Sequence, residues 1–204
     1  MIVIGLTGSI GMGKSTVARM MEDMGIPFND ADAAVHKALG PNGAAVAPIE
    51  KLFPAVIEHT DPPNAPYVNR QKLGQIVFND DEKLKQLEEI LHPIAIQSGR
   101  DFVAQCRAEG LKFCVLDIPL LFETGGEARV DVTFCVTATA DVQKARVMAR
   151  PNMTEEKFEN ILARQLPDAE KRARADYIIY TDVSMDETRE QIILILDTLR
   201  KKYA

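Results

Sequence analysis

The period of the apolar positions changes several times along the chain, and each change predicts an element. The opening Met-Ile-Val-Ile-Gly-Leu is continuously apolar and rich in β-branched residues, which predicts a buried strand. After Lys14 the spacing turns helical: Val17, Met20, Met21 and Met24 fall at i, i+3, i+4 and i+7. Gly25 and Pro27 stop that helix. Ile26–Asn29 predicts a short second strand running into Asp30–Asp32. A helical Ala-Ala-Val-His-Lys-Ala-Leu follows and closes at the turn signal Gly-Pro-Asn-Gly. The three prolines between Glu58 and Pro66 predict a loop.

Arg70–Gly110 is helical in pattern almost throughout, with Pro93 expected to kink it or to start a second segment. Lys-Phe-Cys-Val-Leu-Asp and Val-Thr-Phe-Cys-Val-Thr predict two strands separated by a turn-rich stretch. Two short charged helices, Val142–Ala149 and Glu155–Gln165, follow around Arg-Pro-Asn-Met-Thr, and then a strand, Tyr-Ile-Ile-Tyr. Ser184 and Glu187 have capping-box spacing and open a last helix whose apolar face carries Ile192, Leu196 and Leu199. Strands alternating with helices predict a parallel α/β sheet, and the long helical stretch reads as an insertion into it.

Composition narrows the class. The 204 residues are 46% hydrophobic, enough for a sizeable core. The formal net charge of −6 argues against nonspecific binding to nucleic acid or a membrane surface. An anionic substrate must then meet local clusters of Lys and Arg. Cys106, Cys114 and Cys135 are widely spaced and sit in apolar contexts, as buried core thiols of a reducing compartment do. No basic leader precedes the first strand and no apolar run approaches a membrane span, so a cytoplasmic location is expected.

The glycines at positions 5, 8, 11 and 13 would weaken an ordinary strand-to-helix connection. Gly8 to Ser15, Gly-Ser-Ile-Gly-Met-Gly-Lys-Ser, fits the phosphate-binding pattern G-x-x-x-x-G-K-[ST], between a predicted strand and a predicted helix. Without side chains, successive backbone N–H groups can wrap an anion and aim the positive helix end at it. Lys14 would neutralise the β- and γ-phosphates of a nucleotide and Ser15 would hold Mg²⁺. Asp117, closing a neighbouring strand, is the second candidate for the metal, directly or through water.

A phosphate cradle serves a kinase or a nucleotide-dependent switch. The guanine motif N-K-x-D of the switch class is absent, and no Gly follows Asp117 at the switch spacing, which favours a small-molecule kinase. A kinase needs a lid that excludes water and cations that stabilise the moving phosphoryl group. Gln143, Arg146 and Arg150, spaced by three and four on one helix face, are the lid candidates, with Arg164 and Gln165 further on. The acceptor hydroxyl needs a nearby carboxylate. Of the pair at the end of the second strand, Asp32 is the candidate base and Asp30 the structural partner, one of them being a possible helix N-cap.

Taken together these motifs resemble the dephospho-CoA kinase family. Leu-Thr-Gly-Ser-Ile-Gly-Met-Gly-Lys-Ser-Thr, Asp-Ala-Asp, Asn-Arg-Gln-Lys-Leu-Gly-Gln-Ile-Val-Phe, Leu-Glu-Glu-Ile-Leu-His-Pro, Asp-Ile-Pro-Leu-Leu-Phe-Glu, Arg-Gln-Leu-Pro and Arg-Ala-Asp-Tyr-Ile-Ile occur in family order over nearly the whole chain. The resemblance implies a P-loop NTPase-type core of a parallel sheet flanked by helices (1–29, 111–140 and 166–204), a mostly helical acceptor-binding domain (30–110) and a short helical lid (141–165). It implies transfer of the γ-phosphate of ATP to the ribose 3′-hydroxyl of dephospho-CoA, the last step of coenzyme A synthesis, with ATP, Mg²⁺ and dephospho-CoA as ligands. By motif, Gly8, Gly11, Met12, Gly13, Lys14, Ser15 and Thr16 hold the nucleotide phosphates, and Arg146 and Arg150 reach them from the lid. Asp32 matches the base, while Arg70, His92, Pro119, Leu120 and Glu123 line the acceptor site. Two departures stand out. Ile161 occupies a place where the family commonly has Arg, with Arg164 as the candidate substitute. Tyr-Thr-Asp stands where the family often has Asn-Gly near the adenine, which makes Thr181 the candidate contact.

Overall fold

The structure is a computed structural model that describes residues 1–203 other than Pro63 and Asn79. The chain divides into two compact units, Met1–Asn29 with Cys106–Ala204 and, between them in sequence, Asp30–Gln105.

The first unit is built around β1 (Ile2–Thr7), every residue of which is buried. It continues into α1 (Lys14–Asp23), whose inward face is Val17, Ala18, Met20 and Met21. β2 (Phe28–Asp30) leads into the second unit, which holds α2 (Ala31–Leu39), α3 (Val46–Leu52), the hairpin β3 (Ile57–His59) and β4 (Pro66–Val68), α4 (Arg70–Val77) and most of α5 (Asp81–Ala108). The chain then returns through β5 (Phe113–Asp117), β6 (Val132–Thr137), α6 (Ala140–Met148), α7 (Glu155–Ala163), α8 (Asp168–Arg174), β7 (Tyr177–Tyr180) and α9 (Met185–Lys202).

The sheet order is β2-β5-β1-β6-β7. β1 pairs in parallel with β5, Leu6 opposite Asp117, and with β6, Thr7 opposite Cys135; β6 pairs in parallel with β7. An α-helix follows each of β1, β2, β6 and β7, whereas a 3-10 turn at Gly126–Arg129 lies between β5 and β6. β1 has strands on both sides, and the chain visits them in opposite directions. Its carboxyl end is therefore the crevice where open α/β sheets bind ligands, and the glycine loop lies there.

The core of this unit joins Ile4 and Leu6 of β1, Val17 and Met21 of α1, Phe134 and Val136 of β6, and Ile192, Leu196 and Leu199 of α9, all at most 2% exposed. Each such side chain contributes about 1.5–3 kcal/mol of burial. α9 opens on the predicted capping box: Ser184 accepts from the Glu187 N–H, and Glu187 accepts from the Ser184 N–H at 2.9 Å. The second unit has its own core, in which Leu39, Val46, Ile49, Phe53, Val56, Val68 and Leu73 are buried together.

Three expectations change. The proline-rich stretch from Glu58 to Pro66 is not all loop, because its ends pair as an antiparallel hairpin, Ile57 to Val68 and His59 to Pro66. In a two-stranded hairpin each strand is an edge, so Pro66 costs no interior hydrogen bond. Glu58 knots the hairpin, accepting from Tyr67 Oη at 2.7 Å and Asn69 Nδ2 at 2.8 Å and pairing with Lys72.

Pro93 starts no new helix and lies inside α5. The helical stretch is divided earlier, α4 ending at Val77 and α5 starting at Asp81, where Asp80 Oδ1 accepts the Lys83 N–H at 3.0 Å and caps α5.

Arg150 does not share a helix face with Gln143 and Arg146. α6 ends at Met148, and Arg150 N–H donates to Val147 O in a tight turn. Pro151 follows, and the residue before a proline is disfavoured in helical geometry.

Candidate functional site

In the first unit the glycine loop is shaped by its neighbours as much as by its own freedom. Gly11 and Gly13 have φ of +79° and +90°, a region L side chains rarely adopt. A Cβ on Gly11 would meet Val147 Cγ2 at 2.5 Å, and one on Gly13 would meet Thr181 Oγ1 at 2.9 Å. Gly8 lies against Val136 O, which its Cβ would approach to 2.6 Å. The glycines thus admit α6, β6 and the 181 turn to the outer wall of the loop.

That outer wall is closed by hydrogen bonds. Met12 N–H donates to Ser9 O, Thr181 Oγ1 donates to Met12 O at 2.7 Å, and Ala138 N–H reaches Met12 Sδ at 3.1 Å. The backbone N–H groups of Gly11, Gly13, Lys14 and Ser15 find no protein acceptor among the described residues. They collect at the start of α1, whose partial positive charge adds to theirs. Unpaired donors in a left-handed glycine turn at a helix N-terminus form an anion-binding concavity.

Lys14 extends from the first turn of α1 and pairs with Asp117 at the end of β5; their side chains are 15% and 9% exposed. Register puts them together, because Asp117 lies opposite Leu6, one residue before β1 ends. A cation and a hard carboxylate thus sit beside the unpaired N–H groups. Ser15 is exposed and Thr16 half-buried on the same turn.

Beyond β5, Pro119 O accepts from both Thr7 Oγ1 and Lys171 Nζ, each at 3.1 Å. Glu123 Oε1 accepts from Lys171 Nζ at 2.8 Å and from the Leu166 N–H at 2.9 Å. Lys171 is fully buried, and motif reasoning missed it. Leu120 is half-buried between these anchored residues. Arg146 is held on the opposite side, with Nη1 donating to Thr181 Oγ1 at 2.9 Å and Nη2 to Thr181 O at 2.6 Å. Thr181 is therefore a buried bridge between Arg146 and the glycine loop. Arg150 and Arg164 are exposed.

The second unit carries the remaining candidates. Asp30 Oδ1 accepts the Ala33 N–H at 3.0 Å and is the N-cap of α2, which leaves Asp32 exposed in the first turn with no capping duty. His36, one turn after Asp32, meets Arg70 Nη1 at 3.2 Å through Nε2. Arg70 opens α4, whose N-cap is Asn69. His92 is an exposed residue of α5. The structure thus joins Arg70 to the helix of Asp32, and it adds His36, which motif matching had not singled out.

A parallel sheet with a glycine turn after its central strand, a lysine in the next helix and an acid ending the neighbouring strand defines a P-loop phosphotransferase fold. A family profile described as Dephospho-CoA kinase matches residues 2–187. A Dephospho-CoA kinase of Rhizobium meliloti (strain 1021) is 50% identical over 200 residues, covering 98% of this chain and 99% of the relative. One from Mesorhizobium japonicum is 48% identical, covering 98% of both. The chain belongs to the dephospho-CoA kinase family. Among solved structures, the dephospho-CoA kinase from Campylobacter jejuni superposes with a TM-score of 0.72 at 26% identity, covering 99% of this chain and 98% of its own. Shikimate kinase from Acinetobacter baumannii, at TM-score 0.54 and 15% identity over 100% of this chain and 95% of its own, shares the fold. No helix among the described residues is long and apolar enough to cross a membrane.

Proposed function

We propose that this chain transfers the γ-phosphoryl group of ATP to the ribose 3′-hydroxyl of dephospho-CoA, giving coenzyme A and ADP. The observation that carries the reading is the glycine turn itself. Its unpaired N–H groups, with Lys14 beside them, supply donors and charge for a polyphosphate. The relatives named above agree with the choice of acceptor.

In this reading Gly8 and Gly11–Thr16 cradle the phosphates through their backbone. Lys14 moves from Asp117 to the β/γ oxygens, and Arg146, oriented by Thr181, offers its remaining N–H donors to charge on the transferring group. Ser15 and Asp117 are the residues that would hold Mg²⁺. A hydroxyl and a carboxylate are hard oxygen donors, and Mg²⁺ takes few protein ligands and completes its shell with phosphates and water. That ion supplies charge neutralisation on the phosphate oxygens.

Asp32 accepts the proton of the attacking hydroxyl; the O–P bond forms as the bond from γ-phosphorus to the bridging oxygen of ADP breaks. Arg70, held by His36, and His92, Pro119, Leu120 and Glu123 serve the acceptor. The segment 141–165 acts as the lid and 30–110 as the acceptor-binding domain. The cytoplasm, where ATP and a reducing environment coexist, is the proposed location.

The test is a substrate panel. Dephospho-CoA, adenosine and nucleoside monophosphates are each supplied with Mg-ATP and the products identified by mass. Phosphorylated product from dephospho-CoA alone is expected. A faster reaction with a nucleoside or nucleotide acceptor would reject the assignment.

A further inference from the structure

One residue of the glycine loop is gripped from both sides by glutamines that bracket the 141–165 segment. The Ile10 N–H donates to Gln165 Oε1 at 3.1 Å, and Ile10 O accepts from Gln143 Nε2 at 2.8 Å. The two residues are 22 positions apart, one on α6 and one just past α7. Gln143 is buried, only 6% exposed, and Gln165 is half-buried. Each uses the only end of its amide that fits: the carbonyl meets a backbone donor and the amino group meets a backbone acceptor.

The Ile10 N–H belongs to the peptide plane joining Ser9 and Ile10, and its carbonyl to the plane joining Ile10 and Gly11. The two glutamines therefore fix consecutive peptide planes immediately before the unpaired N–H groups of Gly11 and Gly13. A glycine-rich loop left to itself samples many backbone states, and ordering it costs conformational entropy. An anion that needs one arrangement of N–H groups binds more weakly by the fraction of time that arrangement is present.

We propose that Gln143 and Gln165 are positioning residues that pre-form the phosphate cradle by clamping Ile10, so that the two ends of the 141–165 segment set nucleotide affinity without touching the nucleotide. The inference rests on the reading of the site as an ATP cradle. It extends that reading by giving the affinity a structural origin outside the glycine motif. It also accounts for why both ends of the segment carry an amide: an acceptor is required at 165 and a donor at 143.

The requirement for opposite polarity makes the test specific. Gln165→Glu keeps an acceptor for the Ile10 N–H, whereas Gln143→Glu replaces a donor with a carboxylate facing the Ile10 carbonyl. Both changes add the same charge near the same loop, so charge alone predicts equal effects. Calorimetric binding of ADP and steady-state kinetics are measured on both variants, on Gln143→Ala and Gln165→Ala, and on the unsubstituted protein. Hydrogen exchange at the Ile10 amide is followed in all of them.

Gln143→Glu is expected to weaken ADP binding and raise KM for ATP on the order of tenfold or more. Gln165→Glu should stay within about threefold of the unsubstituted protein, with KM for dephospho-CoA little changed in either. The Ile10 amide should exchange faster in Gln165→Ala and regain protection in Gln165→Glu. Equal losses in the two Glu variants, or unchanged Ile10 exchange in Gln165→Ala, would overturn the clamp. If the unsubstituted protein bound no adenine nucleotide, the functional reading would fall. The exchange at Ile10 would still decide the clamp.

Discussion

Replacing Lys171 by Met removes a buried charge at nearly constant shape. The ammonium is 0% exposed and has two partners, Glu123 Oε1 at 2.8 Å and Pro119 O at 3.1 Å. In the variant Pro119 O keeps its bond from Thr7 Oγ1, but Glu123, 14% exposed, keeps its charge and loses its cation. Breaking a buried pair by deleting one partner costs about 3–5 kcal/mol. Glu123 still accepts the Leu166 N–H, but its Oε2 is buried with no partner among the described residues, so a loss of at least about 3 kcal/mol is expected. For a chain of this length each kcal/mol moves Tm by about 2–4 °C, giving a fall of about 6–12 °C. Urea and thermal melts measure it. Adding Glu123→Gln removes the stranded charge and keeps an acceptor for Leu166, so the double variant should recover a large part of the loss. A loss under about 1 kcal/mol, or a double variant no better than the sum of the singles, would refute the reasoning.

Asp32→Asn should bind both substrates and lose roughly 10²–10⁴-fold in single-turnover phosphoryl transfer; since Asp30 and not Asp32 caps α2, a rate near that of the unsubstituted protein would remove Asp32 as the base. Lys72, then Tyr67 and Asn69, hold Glu58 well below the usual carboxylate range, at about 2. Its stabilisation of the hairpin is complete above its ordinary value of 4.5 and is lost as pH falls toward 2, so melts of Glu58→Gln should depend less on pH across that window than those of the unsubstituted protein; parallel profiles would contradict this. Burial pushes the Cys114 and Cys135 thiols up to about 12, and Cys106 is buried too. A thiol reagent near about pH 8 should label none of the three until the chain is unfolded; rapid labelling of the native protein would count against the packing.

The parts legible in the sequence were those whose physics is local. The glycine turn, the strand before it and the helix after it follow from Gly8–Ser15 and the periods on either side. The Ser184–Glu187 box sits where its spacing puts it, because both bonds are made within one turn. What was missed depends on partners far along the chain. α8 is almost wholly polar and buries a lysine rather than an apolar stripe, so no period marks it. α3 is seven residues long and contains Pro48, and its helix is held by the second core rather than by propensity. Pro93 is a signal for a kink or a new segment, yet α5 runs through it, whereas Asp80 carries the capping signal at the start of that helix. In the sequence Gln143 is a lid candidate beside Arg146, with Gln165 further on next to Arg164. Their grip on Ile10 spans more than 130 residues, and only the fold brings it together.

The central claim is that the γ-phosphoryl group of ATP goes to the ribose 3′-hydroxyl of dephospho-CoA. The most direct measurement is the stoichiometry of ADP formed to coenzyme A formed, with and without dephospho-CoA, in the presence of Mg²⁺. One ADP per coenzyme A is expected, with the phosphate at the ribose 3′ position and ADP release falling by at least about 100-fold when the acceptor is withheld. ADP formation that is indifferent to dephospho-CoA, or a product phosphorylated elsewhere, would contradict the account.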